Sequence, residues 1–461
     1  MAIDFSFPPE IEELRLKVRK FIAEVVRPAE VRIAERENDR RFLIQSIIEM
    51  RVAAKDWGLW LPHMPKAFGG MGLGHVAMAA VSAEAAKSGF GPYALNAQAP
   101  DEGNMHTLLH WATDAQKETY LRPLCEGMVR SCFAMTEPEV AGSDPTLIQT
   151  RAVLDGDDWI VNGHKWFISG ASGAKFAILI ARTEDTPEIP QAANSAFLVD
   201  LPAKGWNVVR DVTTMAGHHN HAEIRIEDLR VPRENMLGGR GQGHLLGQAR
   251  LGPARLAHCM RWIGQAEVAL DMMVDRALNR FAHGSLLADK QGIQWMIADS
   301  AMELYQCKLM VLHAAYKIDR KEDFRSEVSM AKHFVANSLN RIIDRAIQVH
   351  GALGYSTDTP LAHMAQQARW ARFADGADEV HQWRIAQRTI DAYKRDQSTR
   401  AATGNLPLSR KRLGAPARSI RSRPLAALEA SRVDTRHRHE DGQAVQARRQ
   451  PSGALAEGLS P

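Results

Sequence analysis

FAMTEPEVAGSDPTLIQTRAVLDGDDWIVNGHKWFISGA, residues 133–171, is the stretch whose reading decides the fold. Its apolar opening passes into a polar loop, Thr136-Glu137-Pro138. The small residues Ala141, Gly142 and Ser143 follow, and these let backbone come close to a bound ligand. Two strands are predicted next, at 149–154 and 159–161, on either side of Asp155-Gly156-Asp157, a hairpin signal. Asn162-Gly163 predicts a second tight turn leading into residues 165–169. The whole reads as a glycine-containing polar loop set on twisted antiparallel strands, a cradle suited to a flat cofactor. A plain β-meander would carry the same turns.

At these residues the chain resembles a known family. Met135-Thr136-Glu137-Pro138, then Ala141-Gly142-Ser143-Asp144, then Asn162-Gly163-His164-Lys165 are similar to the flavin motif of the acyl-CoA dehydrogenases. The resemblance covers about residues 5–395 and implies that family's α+β fold. Its parts would be an N-terminal helical domain (1–131), a central antiparallel β domain (132–240) and a C-terminal four-helix bundle (241–395). It implies FAD, with the isoalloxazine ring held by Phe133, Met135, Thr136, Gly142, Ser143, Phe167 and Ser169. Two details depart from the family pattern. Glu139-Val140 stand where one glycine is usual, and Phe167 replaces a frequent Trp, although its ring can still stack on a flavin. Residues 100–105 are similar to the branch found as the dehydrogenase part of larger human fusion proteins.

A chain of 461 residues can form two or three domains with substantial cores. Apolar and charged fractions of 45% and 24% are those of a soluble globular protein, which excludes disorder of the whole chain. From Asp396 onward, twelve Lys and Arg against six Asp and Glu leave the tail at +6 and the body at −2. A near-neutral body argues against a dedicated nucleic-acid surface. The tail itself, rich in Ser, Arg, Pro, Ala and Gly and without aromatic residues, is expected to be disordered over 396–461. Four cysteines without CxxC spacing read as reduced, buried thiols of a cytoplasmic protein. Residues 1–9 are not expected to be a signal sequence, nor Leu459-Ser460-Pro461 a peroxisomal address. No apolar run reaches the roughly eighteen residues a membrane span needs.

Before the quoted stretch, Ile11, Leu14, Val18 and Ile22 recur at helical spacing behind Pro8-Pro9, and helices are also expected at 42–56, 78–87 and 107–111. The glycine run 66–74 follows no strand, so it reads as a turn rather than a dinucleotide fingerprint. After the quoted stretch, strands are expected at 177–181, 196–199, 208–210 and 223–226. Gly217-His218-His219-Asn220-His221 has no carboxylate or cysteine placed with it, so a polar loop and no metal is expected. Four amphipathic helices, about 248–280, 288–317, 327–349 and 361–393, make the count for a bundle. Arg250 and Arg255 lie near the start of the first, on the presumed ligand side.

The reaction that the resemblance implies removes a proton α to a thioester while a hydride leaves the β carbon for the flavin. It needs a carboxylate base whose proton affinity a partly apolar pocket raises. Arg372-Phe373-Ala374-Asp375-Gly376 resembles the family's loop before the last helix, where a catalytic Glu precedes Gly. Aligned on Gly376, the base position holds Asp375, one methylene shorter; a bare tight turn would read the same way. Asp378 and Glu379 are expected to be N-terminal acids of the last helix. Some relatives carry the base early in the first bundle helix, but Ala254 stands there and cannot take a proton. Ser143, Arg255 and Gly376 are the positions that the resemblance places beside the acyl-CoA.

Two further segments imply a homodimer or homotetramer. Arg280, His283 and Gln291 match the family's reach to the FAD pyrophosphate of a neighbouring subunit, with His283 replacing Phe. Gln348, Gly351 and Ala352 match a QxxGGxG turn that also meets it, with Ala352 replacing the second Gly. Guanidinium and exposed amides are what a pyrophosphate needs. The resemblance implies electron-transferring flavoprotein as the acceptor. Two other readings stay open: a flavin oxidase on the same fold, similar to nitroalkane oxidases, and a non-catalytic binding protein using the basic tail.

Overall fold

The computed structural model describes residues 6–36, 39–217 and 219–402. His218 and the expected tail beyond residue 402 lie outside the described residues. Up to Ala402 the chain is still the last helix, so helix crosses the expected start of the tail at 396.

Helices Pro9–Phe21, Arg40–Asp56, His75–Ala85 and Asp101–Trp111 form most of the N-terminal part. Its core holds Val18, Phe21, Met50, Leu95, Met105 and Leu108, so the spacing read from Ile11 onward does mark the buried face. The run 66–74 is a single 3₁₀ turn and loop between two of these helices.

The middle part is one sheet of eight strands: β1 (Ser131–Ala134), β2 (Arg151–Asp155), β3 (Asp158–Ser169), β4 (Phe176–Arg182), β5 (Asn194–Asp200), β6 (Trp206–Thr213), β7 (His219–Pro232) and β8 (Met236–Leu237). Their order is β6-β7-β3-β2-β4-β5-β8, with β1 beside β4. Most pairs are antiparallel, but β4 pairs in parallel with both β1 and β2. β4 and β5 are nearly continuous apolar runs because both their faces are covered. Side chains alternate across a strand. Phe176, Ile178, Ile180, Ala196 and Leu198 therefore join the core of the N-terminal helices. Ala177, Leu179, Ala181, Phe197 and Val199 pack instead with Trp159, Val161, Ile224 and Leu229.

The Gly156 hairpin forms as expected, with Asp155 opposite Asp158. Asn162-Gly163 is not a turn. β3 runs straight through it, and the register with β7 slips by one residue there. The extra residue is on β7, where Asp228 takes φ 47° and exchanges hydrogen bonds with the Asn162 side chain at 2.8 and 3.1 Å. Gly163 is small for another reason: a Cβ there would lie 2.2 Å from Thr150 Oγ1. Contact across the sheet, not turn chemistry, requires the glycine.

Three long helices, Gly243–Asn279, Gln291–Asp319 and Arg325–His350, share one core built on Leu256, Met260, Val311, Val335 and Leu339. The expected fourth helix at 361–393 is broken in two. Leu361–Ala368 passes through a 3₁₀ turn, Arg369–Arg372, and a new helix starts at Asp378. Between them Asp375 (φ 53°) and Gly376 (φ 114°) are both left-handed, a conformation no helix accommodates.

The three parts meet at one buried polar knot. Asp101 accepts hydrogen bonds from Ser131 N (2.9 Å), Ser131 Oγ (2.7 Å) and Gln98 Nε2 (2.9 Å), and it pairs with Arg130. Asn104 donates to Ser131 Oγ and accepts from Arg250 Nε, both at 2.9 Å. First bundle helix, N-terminal helices and β1 are thereby tied together at one point.

Candidate active site

Asp375 sits on the broken fourth helix, and its backbone is gripped from both neighbouring helices. Arg255 Nε, on the first bundle helix, donates to Asp375 O at 2.6 Å. Lys332 Nζ, on the third, donates to Gly376 O at 2.6 Å. Lys332 is buried and Arg255 half-buried, and burial pushes Lys332 down to about 8. Gly376 admits no larger residue, because a Cβ would lie 2.8 Å from His381 Nε2. Arg255 is therefore no surface arginine: its Nε holds the backbone of the candidate base.

Burial alone pushes the Asp375 carboxyl up, as the sequence led us to expect. His258 beside it and the positive charges of Arg250 and Arg255 outweigh that, and hold it well below the usual carboxylate range. The group is thus an anion, the form that can accept a proton. His258 is itself pushed down by burial and by Arg261, although the neighbouring Asp375 draws it back up. Its Nε2 lies 3.4 Å from Asp375 Oδ2.

Arg250 links this base to the flavin motif, with its guanidinium 4.2 Å from the Phe133 ring centre on β1. The loop after β1 is latched to β3. Thr136 Oγ1 donates to Trp166 O (2.8 Å), Trp166 N donates to Thr136 O (3.1 Å), and Lys165 Nζ donates to Met135 O (2.9 Å). Under the loop lies a buried ion pair: Lys165 Nζ is 2.8 Å from Glu137 Oε1, and Glu137 also accepts from the amides of Gln149 (2.7 Å) and Thr150 (2.9 Å). A second register slip lies between Lys165 and Ile168, where Phe167 takes φ 52° and is 43% exposed as a residue. Ser169 follows, 2.9 Å from His221 Nδ1. Gly142 and Ser143 lie exposed in the loop, where a Cβ on Gly142 would stand 3.3 Å from Thr136 Cγ2.

The remaining predicted positions are exposed at the ends of bundle helices. Arg280 closes the first, His283 (φ 50°) sits in the hairpin after it, and Gln291 opens the second. Gln348, Gly351 (φ 64°) and Ala352 lie at the end of the third. Asp378 does more than open a helix: its carboxylate binds Arg372 Nε (2.7 Å) and Asn337 Nδ2 (3.1 Å).

Sequence reasoning missed Lys332, His258, Arg261 and the partnership of Glu137 with Lys165. Lys332 had a signal: it is the one charge at a core position among Val328, Ala331, Val335 and Leu339. Its role predicts a separation of effects. Lys332→Met removes a costly buried charge and keeps the volume, so melting temperature changes little, while the base loop loses an anchor. Misplacing a reacting group by about 1 Å costs roughly 100-fold, so the chemical step should slow by about that factor with KM nearly unchanged. Wild-type turnover in a folded Lys332→Met protein would refute the anchor.

Comparison with known proteins shows the family. The acyl-CoA dehydrogenase N-terminal, middle and C-terminal domain models match residues 8–128, 132–229 and 241–390. The chain belongs to the acyl-CoA dehydrogenase family. It is 38% identical to "Probable acyl-CoA dehydrogenase FadE2" of Mycobacterium tuberculosis over 87% of this chain and 99% of that one. It is 37% identical to "Acyl-CoA dehydrogenase family member 11" of Gallus gallus over 82% of this chain, and it spans about half the length of that relative (50%). Butyryl-CoA dehydrogenase from Megasphaera elsdenii superposes with a TM-score of 0.73 at 25% identity, covering 84% of this chain and 100% of that structure. FAD is the family's cofactor. The residues present fit it: Phe167 is exposed, the loop after β1 presents the small exposed residues Gly142 and Ser143, and the Phe133 ring lies against Arg250.

Among the described residues no helix is long and apolar enough to cross a membrane. All four cysteines are unpaired and buried, and burial pushes Cys307 up to about 11 and Cys125 to about 12.

Proposed function

We propose that this protein dehydrogenates an acyl-CoA thioester to the trans-2-enoyl-CoA, with Asp375 taking the α proton. Bound FAD supplies the acceptor for the β hydride. Phe133, Met135, Thr136, Gly142, Ser143, Phe167 and Ser169 hold its ring, and Arg280, His283, Gln291, Gln348, Gly351 and Ala352 reach the FAD of a partner subunit in a homodimer or homotetramer. The single observation that carries the reading is a carboxylate on a left-handed turn, clamped through Asp375 O and Gly376 O and within the electrostatic reach of Arg250, whose guanidinium lies over Phe133 of the flavin motif.

The residues of the chain divide the work. Asp375 receives the proton at a carboxylate oxygen. Arg255 and Lys332 keep its backbone in place, which shortens the search for a reactive geometry. Arg250 and Arg255 keep it ionised until an acyl chain excludes water from the cleft, when its proton affinity rises. Ser143, Arg255 and Gly376 border the acyl-CoA. Electrons pass onward to electron-transferring flavoprotein, and four buried thiols suit a reducing cytoplasm, where fatty-acid β-oxidation is the natural context.

Anaerobic titration of the flavoprotein with a panel of acyl-CoAs, followed by absorbance, tests the proposal. Bleaching by at least one acyl-CoA is the expected result. No bleaching with any of them, together with rapid oxygen consumption on another carbon acid, would favour an oxidase and refute it.

A further inference from the structure

We propose that His258 is a positioning residue for Asp375, held in one tautomer by Arg261 and Glu102 so that an N–H faces the carboxylate. The inference rests on Asp375 being the base and adds what aims it.

The two cations that hold the loop act on backbone carbonyls, so they leave the Asp375 side chain free to rotate. A carboxylate one methylene shorter than glutamate has little slack, and a rotamer error moves its oxygens away from the substrate carbon. The group facing Oδ2 is His258 Nε2, at 3.4 Å. Its opposite nitrogen fixes the proton. Arg261 Nη2 lies 3.2 Å from His258 Nδ1, and a guanidinium only donates, so Nδ1 accepts and Nε2 carries the hydrogen.

Arg261 is held in turn. Its Nη1 donates to Glu102 Oε2 at 2.6 Å and to Ala97 O at 3.2 Å, both on the N-terminal part. Glu102 is buried, and despite that burial Arg261 keeps it ionised. The imidazole ring is wedged as well: it stacks on Trp262 (5.6 Å, 17°) and meets Trp370 edge-on (5.1 Å, 80°). Position and tautomer are both set before any substrate arrives. Arg255, His258 and Arg261 recur every three residues along one helix, so a single face serves the loop's backbone and its side chain.

The other charged groups around Asp375 are Arg250 and Arg255 on the first bundle helix, Lys332 on the third and His381 on the last; around His258 they are Arg261 and, from the N-terminal part, Glu102. None carries the hydrogen that faces Oδ2, so removing His258 changes the ionisation of Asp375 while those charges stay.

The test compares wild type, His258→Phe and His258→Gln as FAD-loaded proteins. The readout is the pH dependence of flavin bleaching at saturating acyl-CoA, which reports the base's ionisation in the complex. Phe keeps the stacking and loses the donor; Gln places an amide N–H near the position of Nε2. A hydrogen bond to a charged group corresponds to about one pH unit or more. The acid limb should therefore rise by about one unit in His258→Phe, with a plateau roughly 10-fold lower, and return toward wild type in His258→Gln. Arg261→Met, which frees the tautomer, should move the limb in the same direction by a smaller step. A limb that coincides with wild type in His258→Phe, or is absent in both, overturns the inference and leaves His258 as packing. Asp375→Asn, run alongside, separates the two levels: wild-type bleaching by that variant sinks the base assignment, whereas its inactivity with an unmoved limb sinks only the positioning role.

Discussion

Asp375→Asn should purify yellow and folded yet bleach with acyl-CoA about 10³-fold more slowly than wild type. The amide has the carboxylate's size, and the bonds that shape the turn run to the carbonyls of residues 375 and 376, not to the side chain. What disappears is the proton acceptor, and a positioned general base contributes roughly 10²–10⁴-fold. FAD retention separates this from collapse of the site, because the flavin loop is latched to β3 by contacts that Asp375 does not share. Stability gives a second readout. The carboxyl of Asp375 is held below its ordinary value in the folded chain, so ionised Asp375 stabilises the fold above the usual carboxylate range, and that contribution fades as pH falls through the folded value. The melting-temperature gap between wild type and Asp375→Asn should therefore be widest near neutrality and narrow in acid. Unimpaired bleaching would remove Asp375 from its role.

The sequence carried the architecture because its strongest signals are periodic or chemical. The continuous apolar runs at β4 and β5, the first three long bundle helices and the Gly156 hairpin all formed close to where they were read. Asn162-Gly163 misled because turn propensity is local, while the need for a small residue at 163 comes from Thr150 on the neighbouring chain segment. The expected fourth bundle helix misled for a related reason: its spacing was read straight across 361–393, whereas the helix passes through a 3₁₀ turn and the left-handed pair at Asp375-Gly376 before it restarts at Asp378. Asp375 itself was legible through the residues around it. Its ionisation was not. Burial was expected to raise its proton affinity, and the opposing guanidinium charges come from residues 120 or more positions away, which only the folded chain brings together. The same holds for His258, whose significance depends on Arg261 and on Glu102 across the interface.

Glu137→Gln should be the most damaging change to the flavin loop. Glu137 and Lys165 are fully enclosed, with side chains 1% and 0% exposed, and each satisfies the other beneath the Met135–Thr136 backbone. Burial pushes the Glu137 carboxyl up, but Lys165 and two backbone amides draw it below its ordinary value. Burial brings Lys165 down to about 8 in spite of Glu137. An amide at 137 leaves the ammonium without its counter-charge, and breaking a buried pair from one side costs about 3–5 kcal/mol. The expected result is a lower melting temperature and a preparation that loses its yellow colour, measured as the ratio of flavin to protein absorbance. Removing both charges, in Glu137→Gln with Lys165→Met, should cost less than the sum of the single changes, since no orphaned ammonium remains. The sign with pH follows from the two groups. Glu137, drawn down, stabilises above the usual carboxylate range and ceases to as pH falls through its folded value. Lys165, drawn down, loses its charge as pH rises past about 8. The advantage of wild type over Glu137→Gln should therefore be greatest between those limits and shrink on both sides. A Glu137→Gln protein that keeps full flavin and wild-type stability at neutral pH would show that the loop stands without its buried pair, and the latch through Thr136 and Trp166 would then have to hold the cradle alone.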